Sequence, residues 1–344
     1  MTHPLLDSKN QKNLTRSILI LTILTVLIVA AVIVSMNTGF TRLTPMEVMR
    51  TFFGFGTQQQ ELILFSFRLP RIVIALLVGA GLAVSGCILQ GISRNPLAEP
   101  GILGFNAGAG LAVVVFISMF PVSASAPIFM LPLMALLGAG ITALIIYVLA
   151  YSRTEGLVPM RLVLSGIAVA AGISAATIVL TLRVSPEQYQ FIQVWMAGSI
   201  WGSNWKFVLA LLPWILVLLP LTFYKAQTLN VLNLGDAMAR SLGAAVDRER
   251  LILLACSVGL AGACVAVSGS IAFVGLIAPH LSRRLVGSRH GILLPASALT
   301  GSLLVIVADT IGRSILPSAE IPTGLVIAVI GAPYFLFLMT RARA

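Results

Sequence analysis

Charged residues are scarce in this chain of 344 residues, since Asp, Glu, Lys and Arg together make up only 10% of it. This composition excludes an ordinary soluble domain, in which about a quarter of the residues are charged. Hydrophobic residues account for 58%, and the mean hydropathy is +1.02. They form long blocks rather than alternating with polar residues, which favours membrane-spanning helices over a β-barrel. The sequence predicts an all-α polytopic membrane protein, with a single transmembrane domain over residues 1–344.

The residue patterns of catalytic and metal sites are also missing. The chain has no Gly-x-x-x-x-Gly-Lys-Ser/Thr phosphate loop and no pair of intramembrane carboxylates or histidines that suggests a catalytic centre. The three cysteines, Cys87, Cys256 and Cys264, lie inside apolar blocks without metal-ligand spacing, so we expect small core residues. We therefore expect a non-catalytic protein that binds no metal and no cofactor directly. Without a phosphate loop the chain cannot hydrolyse ATP itself, so any energy that it uses must come from a partner.

Ten apolar blocks are long enough to be membrane spans. They cover residues 17–36, 70–92, 97–120, 128–150, 162–182, 205–224, 251–268, 271–286, 292–311 and 323–340. The eighth is short and contains Pro279, so we expect a broken or tilted helix there. The sequence Ala-Val-Ser-Gly occurs at both 83–86 and 266–269, which suggests a weak inverted repeat but is equally compatible with chance.

The basic residues predict the orientation of these spans. The formal net charge is +11, but Lys and Arg lie at the ends of apolar blocks and form no stripe, so we expect no nucleic-acid partner. Fifteen of the 22 Lys and Arg residues fall on the side of the termini. The positive-inside rule then predicts a multi-pass protein of the cell membrane, with a cytosolic tail at 1–16 and both termini in the cytosol.

The polar stretch at 229–250 interrupts this apolar sequence on the predicted cytosolic side. Asp236 is placed to cap a short helix after Gly235, and Gly243 is placed to end it. The predicted apolar face comprises Met238, Ala239 and Leu242. Because a two-turn helix is marginal alone in water, we expect this segment to press against another protein at the membrane surface.

Several outward and intramembrane features allow two interpretations. Residues 194–201 are apolar but too short to span, which predicts an interfacial or re-entrant helix with a tryptophan at each end. Asp309 is placed to pair with Arg313 four residues later, and His280 is expected to make a structural hydrogen bond. The fifth span is rich in small and hydroxyl residues, which suits either a transport pathway or ordinary close helix packing. The candidate pathway residues are Ser165, Gly166, Gly172, Ser174 and Thr177.

Four motifs give the chain a family resemblance. They are Arg-Leu-Pro-Arg at 68–71, Asn-Pro-Leu-Ala-Glu-Pro at 95–100, Gly-Leu-Ile-Ala-Pro-His at 275–280 and Gly-Ala-Pro-Tyr at 331–334. With them, and with the polar stretch around Gly235 and Asp236, the chain resembles the FecCD-type permeases of type II ABC importers for iron-siderophores, haem and cobalamin. The resemblance covers nearly the whole chain.

The resemblance implies a ten-helix permease subunit that translocates an iron chelate, with a ferric siderophore of the hydroxamate type as the first expectation and haem or cobalamin as alternatives. The implied partners are a second permease, identical or related, two cytosolic ATPase subunits and an extracytoplasmic substrate-binding protein. Residues 235–243 would be the coupling helix that sits in a groove on the ATPase. Arg68, Arg71 and Arg313 would face carboxylates of the binding protein, although arginines at a membrane interface also extend to lipid headgroups. An ion-gradient-driven secondary transporter remains the alternative function.

Overall fold

The computed structural model describes residues 4–39, 43–120, 130–153, 156–200, 202–316 and 319–341. The helices are α1 (Pro4–Asn37), α2 (Pro45–Phe52), α3 (Gln58–Glu61), a π-helical segment (Leu62–Arg68), α4 (Leu69–Ser93), α5 (Phe105–Met119), α6 (Met130–Ala150), α7 (Pro159–Thr181), α8 (Pro186–Met196), α9 (Trp205–Tyr224), α10 (Ala226–Leu232), α11 (Asp236–Ser241), α12 (Val246–Ser268), α13 (Val274–Val286), α14 (His290–Ser314) and α15 (Thr323–Arg341). Strands β1 (Tyr151–Ser152) and β2 (Gly156–Leu157) form an antiparallel hairpin.

The long helices run back and forth between two ends of the molecule. We call the end with the β1–β2 hairpin and α11 the hairpin end, and the end with Arg71 and Arg313 the arginine end. In the described part of the chain, seven helical stretches are long and apolar enough to cross a membrane, and α5 and α15 are shorter apolar helices. With the short pass of α13, these elements confirm the prediction of about ten transmembrane helices.

Helix α4 lies at the centre of the bundle, packed against α12, α13 and α14. Most of its residues are buried, and two glycines let its backbone touch its neighbours. A Cβ atom on Gly79 would fall on the carbonyl oxygen of Gly301 in α14, and one on Gly86 would fall on that of Gly275 in α13. Small residues at such crossings are the usual means by which membrane helices approach closely. The three cysteines are free and buried, as predicted.

Helix α5 begins at Phe105, so the predicted start of the third span at residue 97 is wrong. The chain leaves α4 through Arg94, which has a left-handed backbone with a φ of 52°. The Asn95 side chain then accepts a hydrogen bond from the Leu97 N–H at 3.0 Å, which stabilises a turn instead of a helix start. Further turns precede α5.

A broken or tilted helix is predicted at Pro279, and the break is wrong because α13 is continuous through this residue. Proline has no backbone N–H, which leaves the carbonyl of Gly275 without its usual helical donor. The side-chain nitrogen of Gln90, in α4, donates to that carbonyl at 3.2 Å. The helix tolerates the proline because a neighbouring helix supplies the missing hydrogen bond.

The predicted interfacial helix at 194–201 is also displaced, because α8 ends at Met196 and begins at Pro186. Ser185 and Gln188 form a capping box at its start, a signal that the apolar pattern does not contain. Trp201 lies outside the described residues. The two Ala-Val-Ser-Gly copies differ in local structure: Gly86 is inside α4, whereas Gly269 ends α12 with a φ of 67°. Their match therefore gives no support to an inverted repeat.

We predict that Gly86→Ala destabilises the bundle by about 1–3 kcal/mol, because the new methyl group overlaps the α13 backbone. Thermal unfolding of the purified protein in detergent would measure this. The matched control is Gly140→Ala in α6, where an added Cβ meets no atom within 4 Å. Equal unfolding temperatures for the two variants would contradict the close crossing of α4 and α13.

Candidate functional site

One carboxylate joins two arginines at the hairpin end. Asp236 Oδ1 lies 2.6 Å from Arg94 Nη2 and 2.9 Å from Arg250 Nη2, and Arg250 Nη1 donates to Asp236 Oδ2 at 3.3 Å. Arg94 follows α4, and Arg250 lies in α12. We call these three residues the Asp236 hub. The hub ties α11 to two helices of the bundle.

Arg250 is the buried member of this hub, with a side chain only 2% exposed. Its Nη1 also donates to the carbonyl oxygen of Leu157 in β2 at 2.7 Å. A buried guanidinium group is stable only when it is paired and hydrogen-bonded. The Asp236 carboxylate supplies the counter-charge, so the hairpin, α11 and α12 are held together.

Asp236 is the first residue of α11, and Gly235 occupies the N-cap position with a φ of 100°. The prediction that Asp236 caps the helix is therefore wrong, because its carboxylate faces the arginines. Partial burial acts to raise the pKa of Asp236, but the hydrogen bond and charge of Arg250 and the charges of Arg94 and Arg240 hold this pKa below its ordinary value. The Asp236 carboxylate is consequently ionised at neutral pH.

Helix α11 ends where the sequence predicts. Gly243 has a φ of 82°, and its N–H donates to the Arg240 carbonyl at 2.9 Å. The Ala244 N–H donates to the Ala239 carbonyl at 3.0 Å, which completes a Schellman motif. Ala239 is buried, as one member of the predicted apolar face.

The other two members of that face point away from the bundle. Met238 and Leu242 are 54% and 61% exposed. Both lie on a short helix whose start is fixed by the Asp236 hub and whose end is fixed by the Schellman motif. The hairpin end thus presents two apolar side chains in a defined position.

Asp309 joins the arginines of the opposite end. It lies 2.9 Å from Arg71 Nη2 and 3.1 Å from Arg313 Nε, which confirms the predicted pairing with Arg313. Thr323 donates to Asp309 Oδ1 at 3.1 Å. Arg71 Nη1 also pairs with Glu320 at 2.8 Å, and Glu320 is the most exposed member of this group.

The three arginines expected to meet a binding protein are largely buried within the chain. Arg68 donates to the carbonyl oxygen of Met36, and Arg313 Nη2 donates to Ser35 Oγ at 2.6 Å, both at the end of α1. Arg68 therefore fastens α1 to the π-helical segment just before α4, and Arg313 fastens α1 to α14. Their contact with a binding protein stays a prediction, and Arg71 is the one whose exposed partner could be exchanged.

The predicted pathway residues of α7 do not share one environment. Gly166 packs against Leu103, and Thr177 is buried with its hydroxyl donating to the Ile173 carbonyl at 2.9 Å. Ser165 is half-buried, whereas Gly172 and Ser174 are exposed. Close packing accounts for the first two positions. A pathway role stays a prediction for the exposed ones.

The sequence pattern indicates Arg94 and Arg250 only as topology signals and gives no sign of Glu320. Nothing local marks them, because their partners lie far along the chain. His280 makes an edge-to-face ring contact with Tyr334 at 5.8 Å. Its Nε2 has no hydrogen-bond partner in the described part of the chain. The expected structural hydrogen bond is thus not formed at this atom.

The chain is similar to known proteins over most of its length. A model of the FecCD transport family matches residues 26–341. The chain is 50% identical over 332 residues to the iron(3+)-hydroxamate import system permease protein FhuG of Bacillus subtilis (strain 168), covering 95% of this chain and 98% of that protein. It is 42% identical over 281 residues to the Fe(3+) dicitrate transport system permease protein FecD of Escherichia coli (strain K12), covering 82% and 86%.

The fold has a solved counterpart as well. A metal-chelate type ABC transporter in an inward-facing conformation superposes with a TM-score of 0.80 at 32% identity. The match covers 94% of this chain and 99% of that chain.

We predict that Asp236→Asn destabilises the protein by about 1–3 kcal/mol, because it leaves Arg250 buried without a counter-charge. The loss is smaller than for a fully buried pair because Asp236 is partly exposed. Chemical unfolding in lipid nanodiscs and limited proteolysis at the hairpin would measure it. The control is Asp247→Asn, which removes an exposed pair with Arg240 at 3.4 Å and should cost about 0–1 kcal/mol. Equal losses of stability for the two variants would show that the Asp236 hub contributes no more than an exposed ion pair.

Proposed function

This chain belongs to the FecCD transport family, and we propose on that premise that it is the permease subunit of an ATP-driven importer for a ferric siderophore. The 50% identical relative is named as a permease for iron(3+)-hydroxamate, which favours a hydroxamate chelate as the substrate class. The chain has no nucleotide-binding loop of its own, so the energy must come from partner ATPase subunits.

The observation that carries this proposal is the outward display of Met238 and Leu242. A helix as short as α11 is not stable alone, yet the Asp236 hub and the Schellman motif hold it rigid. Two apolar side chains on a fixed short helix suit a groove on another protein. We assign that groove to an ATPase subunit, with one such subunit for each of two permeases.

The hairpin end faces the cytosol in this proposal, since the ATPase and its nucleotide are cytosolic. Helix α1 begins and α15 ends at the hairpin end, so both termini would be cytosolic in this orientation. The excess of basic residues on that side supports the same orientation. The second permease, identical or related, would enclose the pathway with this one. Gly172 and Ser174 are the candidates for its lining.

Arg71 supplies the proposed contact with the binding protein. It is held between the buried Asp309 and the exposed Glu320. A carboxylate of the binding protein could replace Glu320 without disturbing Asp309. Docking would then exchange one exposed ion pair for another, and Arg68 and Arg313 would support Arg71 from inside the chain.

We predict that Leu242→Asp weakens ATPase binding about 10- to 100-fold, because burying a leucine side chain contributes about 1.5–3 kcal/mol. Copurification with the ATPase and uptake of a ferric hydroxamate into liposomes loaded with ATP would measure the effect. Uptake should fall with binding.

The matched control is Asn233→Asp, an exposed position that receives the same charge just before α11. It should leave both binding and uptake near the wild-type level. Uptake that persists with a hydrolysis-deficient ATPase but stops when an ion gradient is removed would refute the importer and favour a secondary transporter.

We predict that Glu320→Gln strengthens capture of the binding protein by up to about fivefold, because it removes a carboxylate that competes for Arg71. Affinity measured in nanodiscs at low and high salt would test this, and the gain should shrink as salt screens the new ion pair. Arg71→Gln should act in the opposite direction. If neither variant changes the affinity for the binding protein, Arg71 has a purely structural role.

A further inference from the structure

Helix α2 has its apolar side turned outward. Met46, Met49 and Phe52 lie on one side of this eight-residue helix, and Phe53 continues that side. We call these four residues the α2 face. Their side chains are between 56% and 69% exposed, while Thr51 on the opposite side is buried. A surface helix normally buries its apolar stripe, so this face requires a covering that the described part of the chain does not supply.

The α2 face belongs to a well-formed helix. Thr44 accepts a hydrogen bond from the Glu47 N–H at 3.3 Å, and Glu47 accepts one from the Thr44 N–H at 2.7 Å, which together form a capping box. The Thr51 hydroxyl donates to the Glu47 carbonyl at 2.7 Å. The helix is held by its polar side, which leaves the four large apolar side chains displayed together.

The position of α2 identifies what covers this face. The ring of Phe52 lies 6.0 Å from that of Phe65. Phe65 belongs to the π-helical segment, which continues into α4 as part of one long candidate span from Gln58 to Ser93. The α2 face is therefore continuous with the outer surface of a membrane-crossing helix.

Trp205 indicates how deep in the membrane the contact between Phe52 and Phe65 lies. It is the first residue of the membrane-crossing helix α9, and its indole N–H donates to the Phe65 carbonyl at 2.8 Å. Tryptophan at the start of a span is typical of the boundary between lipid headgroups and acyl chains. Leu62 and Phe67, on either side of Phe65, are exposed and apolar as well. Two spans thus begin at the level of α2.

We infer that α2 lies in the lipid interface at the arginine end, with the α2 face among the upper acyl chains and the exposed Arg50, at the edge of that face, extending towards headgroups and water. The partner is the lipid leaflet itself. The arrangement is that of an in-plane amphipathic helix tethered between two spans. It would fix the height of the loop that connects α1 to α4 and so the height of Arg68 and Arg71. The inference depends on the membrane spans and not on the proposed substrate or ATPase.

Spin labels on single cysteines would test this assignment in the full chain reconstituted in liposomes. Met49→Cys and Phe53→Cys place the label on the α2 face, and Arg50→Cys is the matched control at the exposed polar edge of the same helix. The native cysteines are buried in the core, and unsubstituted protein gives the labelling background. Collision rates with oxygen and with a water-soluble nickel chelate report lipid and water exposure respectively.

We expect the ratio of oxygen to nickel collisions to be at least severalfold higher at positions 49 and 53 than at position 50. Because the two face positions are independent, failure of one variant to fold leaves the other as a test. Equal ratios at all three positions would overturn the inference. Shielding of 49 and 53 from both reagents, either in the permease alone or only after the binding protein is added, would also overturn it by assigning the face to a protein partner.

Discussion

The close crossing of α4 with α13 and α14 is the constraint on which the rest of the structure depends. Gly79 and Gly86 bring its backbone against Gly301 and Gly275, so that no side chain separates the helices. The same contact lets Gln90 reach the Gly275 carbonyl that Pro279 leaves without a donor. The close packing of α4 on α13 and the hydrogen bond that compensates for Pro279 therefore depend on the same helix contact. A residue with a larger side chain at these positions would disturb both.

Because of this crossing, α4 is held rigidly between the hairpin end and the arginine end. Its 25 residues correspond to roughly 38 Å, about the thickness of a membrane with part of its headgroups. Arg71 lies in its first turn, and Arg94 follows its last residue. Because backbone contacts with α13 and α14 hold the middle of α4, a displacement of Arg94 at the hairpin end would move all three helices together.

The sequence predicts elements well where the signal is local. The predicted span at 205–224 agrees with α9 at both bounds, since Asn204 accepts from the Lys206 N–H at 3.0 Å and so caps the helix. Gly243 likewise ends α11. The start of α5 was misplaced because apolar content continues through turns that an Asn side chain and a left-handed Arg94 create. Hydrophobicity alone does not separate a turn buried in protein from a helix.

The candidate site was predicted only in part, because its partners are distant in sequence. The local pattern indicates Asp236 as a helix cap, and the family resemblance indicates Arg71 as a contact for a binding protein. The structure pairs Asp236 with an arginine 142 positions away and Arg71 with an aspartate 238 positions away. Such pairs arise from the packing of α4 against later helices. No periodicity or short motif in a single sequence encodes them.

The two ends of α4 use the same electrostatic arrangement with different consequences. Asp236 lies between Arg94 and Arg250, and Asp309 lies between Arg71 and Arg313, so each triad carries one excess positive charge. At the arginine end Glu320 neutralises that excess and is itself exposed. An acidic partner can therefore be exchanged there without leaving a buried arginine unpaired. At the hairpin end the excess charge stays with Arg94, and the exposed apolar side chains of Met238 and Leu242 belong to the helix that Asp236 starts. The arginine end thus suits the reversible ionic contact that we propose for it, and the hairpin end suits the proposed contact in which shape and apolar burial dominate.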